Sequence, residues 1–143
     1  MKYYFINTDA KSLGNVSPHE KWLKYGSAFT GGPRKYGDEL GRLAPGDICL
    51  MYANKIGIVA VGRVIEPWGG SENSPPLVYT SPYEDKEYRL RVDWCLDLCE
   101  SPITPSELRV AIGWNPPRAI QPIVRDVQKI SQLIKKRQKQ QER

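Results

Sequence analysis

The sequence predicts an α+β fold in which a mostly antiparallel β-barrel of five or six strands is flanked by about three helices. Two stretches carry this prediction. Residues 47–66 form two predicted strands that are apolar on both faces, which is typical of a barrel or of a sheet covered by helices. Residues 88–99 alternate strictly between apolar and mostly polar side chains, which indicates a strand with one buried face. With 143 residues, the chain has the length of one domain.

The first half of the chain opens with an aromatic and β-branched run at residues 2–7, which predicts a strand. Residues 17–20, Ser-Pro-His-Glu, have the pattern of a capping box and predict the start of a short helix. A Gly-rich segment follows, with room for another short helix. The hairpin then begins, with strands at residues 47–53 and 57–66 and a turn at Asn54 and Lys55.

The second half opens with a long polar loop at residues 67–86, and loops of this length in a compact domain are usually functional or disordered. The alternating strand follows, with Trp94 in phase with its apolar face and therefore expected in the core. Residues 104–107 form a second capping box and predict a short helix. A last strand at 119–124 and a last helix capped by Asp126 complete the order of elements.

The net charge of +5 is confined to the C-terminal end of the sequence. Residues 1–124 carry 14 Lys or Arg and 14 Asp or Glu, so the whole excess lies in residues 125–143. We therefore expect a domain over residues 1–134 followed by a basic tail over 135–143. Such a terminus is more often a solvated helix end than a dedicated phosphate contact.

The cysteine and histidine content argues against metal and triad chemistry. Cys49, Cys95 and Cys99 lie in strand-like stretches and are expected to be free, buried thiols. His19 is the single histidine, which disfavours a zinc site or a His-based nucleophile triad. No cofactor or metal is expected. Residues 1–4 lack the apolar centre of a signal peptide, so we expect a cytoplasmic protein, and a monomer.

Several weak motifs in a shared order resemble one superfamily. Phe29-Thr30-Gly31, with Arg34 and Tyr36, precedes Leu43-Ala44-Pro45-Gly46-Asp47 and a buried strand, and Val92-Asp93-Trp94 ends the pattern. This arrangement is similar to the EVE and YTH branches of the PUA-like superfamily over nearly the whole chain. The resemblance implies a small β-barrel with helices outside and a pocket that accepts a flipped, often methylated base. YTH domains read N6-methyladenine in RNA, whereas EVE-like domains occur alone or fused to restriction enzymes.

The resemblance also implies the walls of that pocket. Phe29 and Tyr79 stand where the family has aromatic walls, usually Trp, and Trp68 is a second loop aromatic. Stacking on such rings stabilises a bound base by about 1 to 3 kcal/mol, and polar groups after the first strand are placed to read the base edge. The predicted base pocket comprises Asn7, Thr8, Asp9, Phe29, Thr30, Trp68 and Tyr79. Two of these residues also fit a structural role instead of base binding. Phe29 fits a position in the core, and Asp9 fits the cap of a turn.

The cations near this pocket are candidates for contacts with phosphates. These are Lys11, Arg34, Lys35, Arg89 and Arg91. Arg34 and Lys35 neighbour the Gly31-Gly32 segment, and Arg89 and Arg91 project from one strand face. The alternative for Arg89 and Arg91 is pairing with a carboxylate across the sheet.

Three functions are compatible with the sequence. The first is a non-enzymatic reader of a modified base in DNA or RNA, and it agrees best with the resemblance. The second is a PUA-like enzyme that acts on a modified nucleoside, although no nucleophile arrangement is recognisable in the sequence. The third is a protein-interaction module that uses the basic tail. The kind of strand and the modification stay open.

Overall fold

The computed structural model describes residues 1–8, 18–70, 72–73, 78 and 86–142. Within them lie seven strands and four helices. The strands are β1 (Tyr3–Asn7), β2 (Ser27–Gly31), β3 (Ile48–Ala53), β4 (Gly57–Val64), β5 (Glu72–Asn73), β6 (Glu87–Asp97) and β7 (Ile120–Ile123). The helices are α1 (Pro18–Tyr25), α2 (Arg34–Leu40), α3 (Pro105–Ile112) and α4 (Val127–Gln141).

The strands form one curled sheet in the order β2-β6-β4-β3-β1-β7, with the short β5 also paired to β6. Its pairs are antiparallel except β1 with β3, which run parallel, so the architecture is a mixed half-barrel with four helices. The predicted α+β class is confirmed. The prediction of five or six strands and about three helices omitted β2 and the two-residue β5, and left α2 open. β2 and β7 are the two edge strands of the sheet, and the site described below lies where these edges face each other.

Both faces of the central strands β1, β3 and β4 are buried, as the two-faced hairpin predicted. Along β1, Tyr4 and Ile6 point into a core shared with α1, α2 and β6, whereas Phe5 points into a second core under α3 and α4. The alternation follows from the two-residue period of a strand. The curled sheet thus has a concave core on one side and a helix-covered convex core on the other.

Trp94 lies on the concave side of β6, as predicted, but it is only partly buried. Its Nε1 donates to the carbonyl oxygen of Ser27 at 3.0 Å. The ring lies over Gly62 of β4, where a Cβ would meet Trp94 Cε3 at 2.6 Å. A glycine is therefore required at this point of the sheet, because any side chain would displace the indole.

The helix ends show one predicted cap and one correction. Thr104 and Glu107 form the predicted reciprocal capping box, and Gly113 ends α3 in the left-handed conformation with φ 85°. Asp126 occupies the N-cap position of α4 but makes no side-chain cap hydrogen bond. Its carboxylate instead accepts from Nε1 of Trp114 at 3.2 Å. Asp126 is therefore the N-cap residue of α4, as predicted, but its side chain does not cap the helix.

The cysteines differ in burial. Cys49 is buried and Cys99 is half-buried, but Cys95 is exposed. Cys95 lies on β6 between Asp93 and Asp97, on the polar face that points away from the cores. The expectation of three buried thiols was therefore wrong for Cys95, because the alternation of β6 places it outside.

Residues 135–141 continue α4. The side chain of Arg137 turns back to the start of α3, where it donates to the carbonyl oxygen of Ser101 at 2.8 Å, to that of Pro102 and to the carboxylate of Glu107. Lys135, Lys136 and Lys139 lie exposed on the same helix. One of the predicted tail cations therefore holds the helices together.

The part of the chain that the structure describes contains no helix long and apolar enough to span a membrane.

Candidate functional site

A cleft of about 380 Å³ opens where the two edges of the half-barrel face each other. We call it the seam cleft. Its lining comes from the ends of β1 and β2, from α2, from the β3–β4 turn and from the segment before β7: Asn7, Phe29, Thr30, Gly31, Tyr36, Asn54, Pro116, Pro117, Arg118 and Ala119. The volume lies in the range of about 300 to 1,000 Å³ that is usual for small-molecule sites. An edge strand also directs half of its backbone polar groups away from its neighbour, so β2 adds backbone donors and acceptors to the cleft.

Two asparagines form the polar wall of the seam cleft. Nδ2 of Asn7 donates to Oδ1 of Asn54 at 2.8 Å, joining the end of β1 to the β3–β4 turn. The parallel pairing of β1 with β3 brings them together, since Asn7 lies opposite Tyr52, two residues before Asn54. The amide group of Asn54 carries two further donors that a ligand can use. This wall suits a ligand edge with hydrogen-bond acceptors.

A short ridge next to these asparagines, Pro116-Pro117-Arg118, also lines the cleft and is fixed at both ends. On one side the Tyr52 hydroxyl donates to Oδ1 of Asn115 at 3.2 Å. On the other, the backbone N–H of Asn7 donates to the carbonyl oxygen of Ala119 at 2.7 Å. The two prolines also restrict φ between these anchors. The exposed Arg118 is thus held at the mouth of the seam cleft by a stiff segment.

The Tyr52 hydroxyl at the base of this ridge is buried, which keeps it protonated and able to donate. Tyr52 is 4% exposed. Burial raises the pKa of its phenol, and the Arg109 charge opposes that shift only in part. The hydroxyl therefore stays protonated at neutral pH and keeps its hydrogen bond to Asn115.

Phe29 lies at the back of the seam cleft and not on its surface. It is 0% exposed, and its ring packs against Trp22 at 6.2 Å and Tyr25 at 6.1 Å between centroids. A ring with no exposed face cannot stack on a base without repacking the concave core. The structure therefore supports the alternative reading of Phe29 as a core residue.

Tyr36 is the half-buried aromatic residue of the cleft lining. It lies on α2, and Nζ of Lys35 stands 5.1 Å from its ring centroid. The Thr30 hydroxyl donates to the carbonyl oxygen of Tyr36 at 3.4 Å, which ties α2 to β2. Tyr36 is therefore an aromatic side chain of the cleft lining that, unlike Phe29, keeps accessible surface.

The remaining predicted pocket residues fall in three places. Asn7 and Thr30 line the seam cleft. Thr8 follows Asn7 but is 0% exposed, and its backbone N–H donates to the carbonyl oxygen of Tyr52 at 2.9 Å. Asp9 and Tyr79 lie outside the described residues.

Trp68 does not line the seam cleft. Its ring meets Tyr88 edge to face at 5.9 Å between centroids and lies under the Arg34 guanidinium at 4.9 Å. A Cβ at Gly37 of α2 would approach its ring to 2.9 Å. Trp68 therefore anchors the loop after β4 onto α2, which is a packing role.

Two of the predicted phosphate contacts, Arg89 and Arg91, are engaged by other groups of the protein. Arg89 donates to Ser27 Oγ at 2.7 Å and to the carbonyl oxygen of Tyr25 at 2.9 Å, which holds it inside the sheet. Arg91 pairs with Glu66 at 3.2 Å and lies opposite Ser27, about 13 Å along β2 from Gly31. Arg91 therefore pairs with a carboxylate, which is the alternative that the sequence analysis gave for it.

The two cations on α2 also differ. Arg34 pairs with Asp38 at 3.3 Å on the outer side of the helix. Lys35 is exposed and stands beside Tyr36, next to the seam cleft. Lys11 lies outside the described residues. Of the predicted phosphate contacts that the structure describes, Lys35 is the one whose charge lies beside the cleft lining.

The sequence analysis did not assign Tyr36, Asn54 or Arg118 to the site. Tyr36 belonged to the motif quoted for the resemblance, and Asn54 marked the predicted hairpin turn. Arg118 follows two prolines directly before the predicted last strand, and that pattern was a usable signal for a fixed, exposed cation. None of the three could be joined to Asn7 without knowledge of the strand order.

Comparisons with known proteins identify the fold. No protein-family model matches the sequence, and no curated protein matches it. Among solved structures, human THYN1 in complex with DNA containing 5-methylcytosine aligns with a TM-score of 0.61 at 13% identity, covering 96% of this chain and 98% of that one. The complex of the YTH domain protein mmi1 with RNA aligns with a TM-score of 0.59 at 10% identity, covering 94% and 79%.

A hypothetical protein from Leishmania major is similar over 99% of this chain and 97% of its own, with a TM-score of 0.60 and 15% identity. At these identities the likeness concerns the fold. The chain therefore shares the fold of these structures, in agreement with the resemblance to EVE and YTH domains that the sequence motifs indicated.

Proposed function

We propose that this protein is a nucleic-acid-binding module that accepts one base, taken out of its stack, in the seam cleft. The observation that carries the proposal is the position of this cleft, at the open seam of a fold shared with a protein in complex with 5-methylcytosine DNA and with a YTH domain protein in complex with RNA. Extruding a base from a strand costs roughly a few kcal/mol of stacking and pairing, and contacts in the pocket must offset this cost.

Tyr36 is the stacking platform in this proposal. Its half-buried side chain lines a cleft of the right size, and base stacking on an aromatic side chain contributes about 1 to 3 kcal/mol. Phe29 supports the platform from behind by filling the core between Trp22 and Tyr25. Tyr79 stays a candidate for the second wall.

Asn7 and Asn54 read the edge of the base in this proposal. Their mutual hydrogen bond fixes the plane of each amide before a ligand arrives, which lowers the ordering cost of binding. Amide groups offer both donors and acceptors, and bases present both on their edges. Asp9, directly after β1, stays a candidate for the same edge.

A preference for a methylated base follows from the apolar part of the lining. Pro116, Pro117 and Ala119 line the cleft beside the asparagines. A methyl group buried against them contributes about 0.8 kcal/mol, which is roughly a fourfold gain in affinity. We propose that this contact, and not the aromatic ring, distinguishes modified from unmodified bases.

Lys35 and Arg118 contact the flanking phosphates in this proposal. Both are exposed, and they stand on opposite sides of the cleft mouth, on α2 and on the proline ridge. Such contacts contribute affinity without base information. Lys11 stays a candidate for the same strand.

The proposal describes a binding protein and not an enzyme. The described residues that line the seam cleft are amides, a hydroxyl, a phenol, an arginine and apolar groups, with no carboxylate, thiol or imidazole among them. General acid–base and nucleophilic catalysis rely mainly on those groups. The lining therefore suits recognition of a neutral base.

A titration with matched oligonucleotides tests the proposal. Single strands carrying one central 5-methylcytosine or N6-methyladenine, and their unmodified counterparts, are bound at two salt concentrations and followed by fluorescence anisotropy. We expect binding that weakens with salt, and a modified strand of one kind that binds several-fold more tightly than its counterpart. Absence of binding, or equal affinity for all four strands, would contradict the proposal.

A further inference from the structure

A second concavity of about 320 Å³ lies on the other side of Pro117 from the seam cleft. We call it the Trp114 groove, after the residue that starts it. It follows the outer edge of β7, and Pro122, Val124 and Arg125 form its far side. Pro117 lines both concavities, so one proline ridge separates two adjacent sites.

Trp114 is held firmly while part of its ring stays accessible. The indole meets Phe5 edge to face at 5.7 Å between centroids, and its Nε1 donates to the Asp126 carboxylate at 3.2 Å. The side chain is half-buried. A fixed aromatic side chain with accessible surface is a suitable platform for stacking, because little ordering is lost when a base binds.

The charge around the groove favours an anionic ligand. Arg125 lines the groove and Arg118 stands on the ridge, and both are exposed. No carboxylate lies among the described residues that line the groove. The Asp126 carboxylate, beside Trp114, accepts from its Nε1, and Lys129 at 3.8 Å offsets its charge. Val124 is 88% exposed, which leaves an apolar surface beside these cations.

We propose that the Trp114 groove binds the nucleotide next to the base held in the seam cleft, on the same strand. This inference rests on the proposed function. Three observations support this occupant. The groove shares Pro117 with the cleft, Trp114 offers an aromatic surface, and the exposed Arg118, which follows Pro117 and lines the cleft, can contact a phosphate that connects the two nucleotides. An acidic peptide could pair with Arg118 and Arg125, but it offers no base that would occupy the adjacent seam cleft.

The test compares a mononucleotide with a dinucleotide. The probes are 5-methyl-2′-deoxycytidine or N6-methyladenosine 5′-monophosphate, and dinucleotides that add one unmodified nucleotide on either side. Stacking of the added base predicts that one dinucleotide binds at least about tenfold more tightly than the mononucleotide. Affinities are measured by calorimetry at constant salt.

Two exposed positions supply variants that leave the fold intact. Val124→Glu places a negative charge in the groove, and Arg125→Gln removes a positive one. We expect both to reduce the dinucleotide gain to less than about threefold with unchanged mononucleotide affinity. Arg42→Gln is the matched control, because this exposed arginine precedes β3 at the end of the sheet away from Asn54; it should preserve the gain.

The outcomes separate this inference from the function beneath it. Mononucleotide binding without a dinucleotide gain, or a gain that survives in Val124→Glu, overturns the groove assignment and leaves the seam cleft standing. Absence of mononucleotide and dinucleotide binding overturns the proposed function and the groove assignment together.

Discussion

Nδ2 of Asn7 donates to Oδ1 of Asn54 across 47 residues of sequence, at 2.8 Å. The bond exists because β1 and β3 run parallel, so the end of one strand meets the turn that follows the other. It orients both amides at the wall of the seam cleft.

Single and double alanine variants of Asn7 and Asn54 should reveal this coupling. We expect each single change to weaken oligonucleotide binding, and the double change to cost less than the sum, by about 0.5 to 1.5 kcal/mol. The measurement is a double-mutant cycle on binding free energies. Strictly additive effects would show that the two amides act separately.

Phe29→Ala and Tyr36→Ala should have opposite consequences. Phe29 is 0% exposed, so its truncation should lower the free energy of unfolding by about 3 to 5 kcal/mol. Tyr36 is half-buried at the cleft, so its truncation should cost about 1 to 3 kcal/mol of binding and less stability. Urea denaturation and titration of both variants measure the two quantities. A stable Phe29→Ala protein that binds oligonucleotides about 1 to 3 kcal/mol more weakly would restore Phe29 as the stacking wall.

Gly62→Ala should destabilise the protein. The added Cβ would meet Trp94 Cε3 and Val92 Cγ1, each at 2.6 Å. We expect the free energy of unfolding, measured by urea denaturation, to fall by about 1 to 3 kcal/mol, because the paired strands β4 and β6 cannot move apart to make room for the methyl group. Gly69→Ala is the control, since nothing lies within 4 Å of its Cβ position. Equal stability of the two variants would contradict the packing described for Trp94.

The ion pair between Glu107 and Arg137 predicts a pH-dependent stability. Burial alone raises the pKa of the Glu107 carboxyl, but hydrogen bonds from Arg137 and from the Thr104 N–H, together with the Arg137 charge, outweigh it and leave the pKa below its usual value. Because the folded-state pKa is the lower one, the carboxylate stabilises the fold above the unfolded pKa of about 4.3. That contribution is lost as the pH falls through the folded value.

Glu107→Gln tests this relationship. At neutral pH the variant should be about 1 to 2 kcal/mol less stable than the parent, since the pair is only partly buried. The difference should shrink as the pH falls through the lowered folded-state pKa of Glu107, because below it the parent also carries a neutral side chain. Glu100→Gln, at an exposed position, should match the parent throughout. A difference that does not depend on pH would contradict the assigned ion pair.

Local patterns in the sequence were sufficient for many of the elements. The alternation around Leu90 and Val92 located β6, and the Thr104 capping box located α3, because these signals depend only on neighbouring residues. β2 was missed because Gly31 and Gly32 signal a turn. The α2 helix was only provisional because Gly37 weakens a helical pattern, yet Gly37 is needed there, since a Cβ would meet the Tyr88 ring at 2.8 Å.

The site was less accessible to sequence reasoning because it is made by distant parts of the chain. Asn7 and Thr30 were assigned, and both line the seam cleft. Asn54 and Arg118 reach it only through the parallel β1–β3 pair and the curling of the sheet. Phe29 was placed in the pocket by motif position, but the burial of its ring depends on how α1 packs Trp22 against it. Motif order therefore indicated the region, and strand order determined which side chains face the ligand.

The most direct test of the central claim is a map of the amides that respond to a modified nucleotide. The chain of 16.3 kDa is suitable for NMR titration with the two nucleoside monophosphates named above. The account predicts that the largest shift changes occur at the backbone amides of Asn7, Gly31, Tyr36, Asn54 and Arg118, around the seam cleft. Changes confined to the exposed lysines of α4, or centred on Trp68 and Arg91, would contradict it.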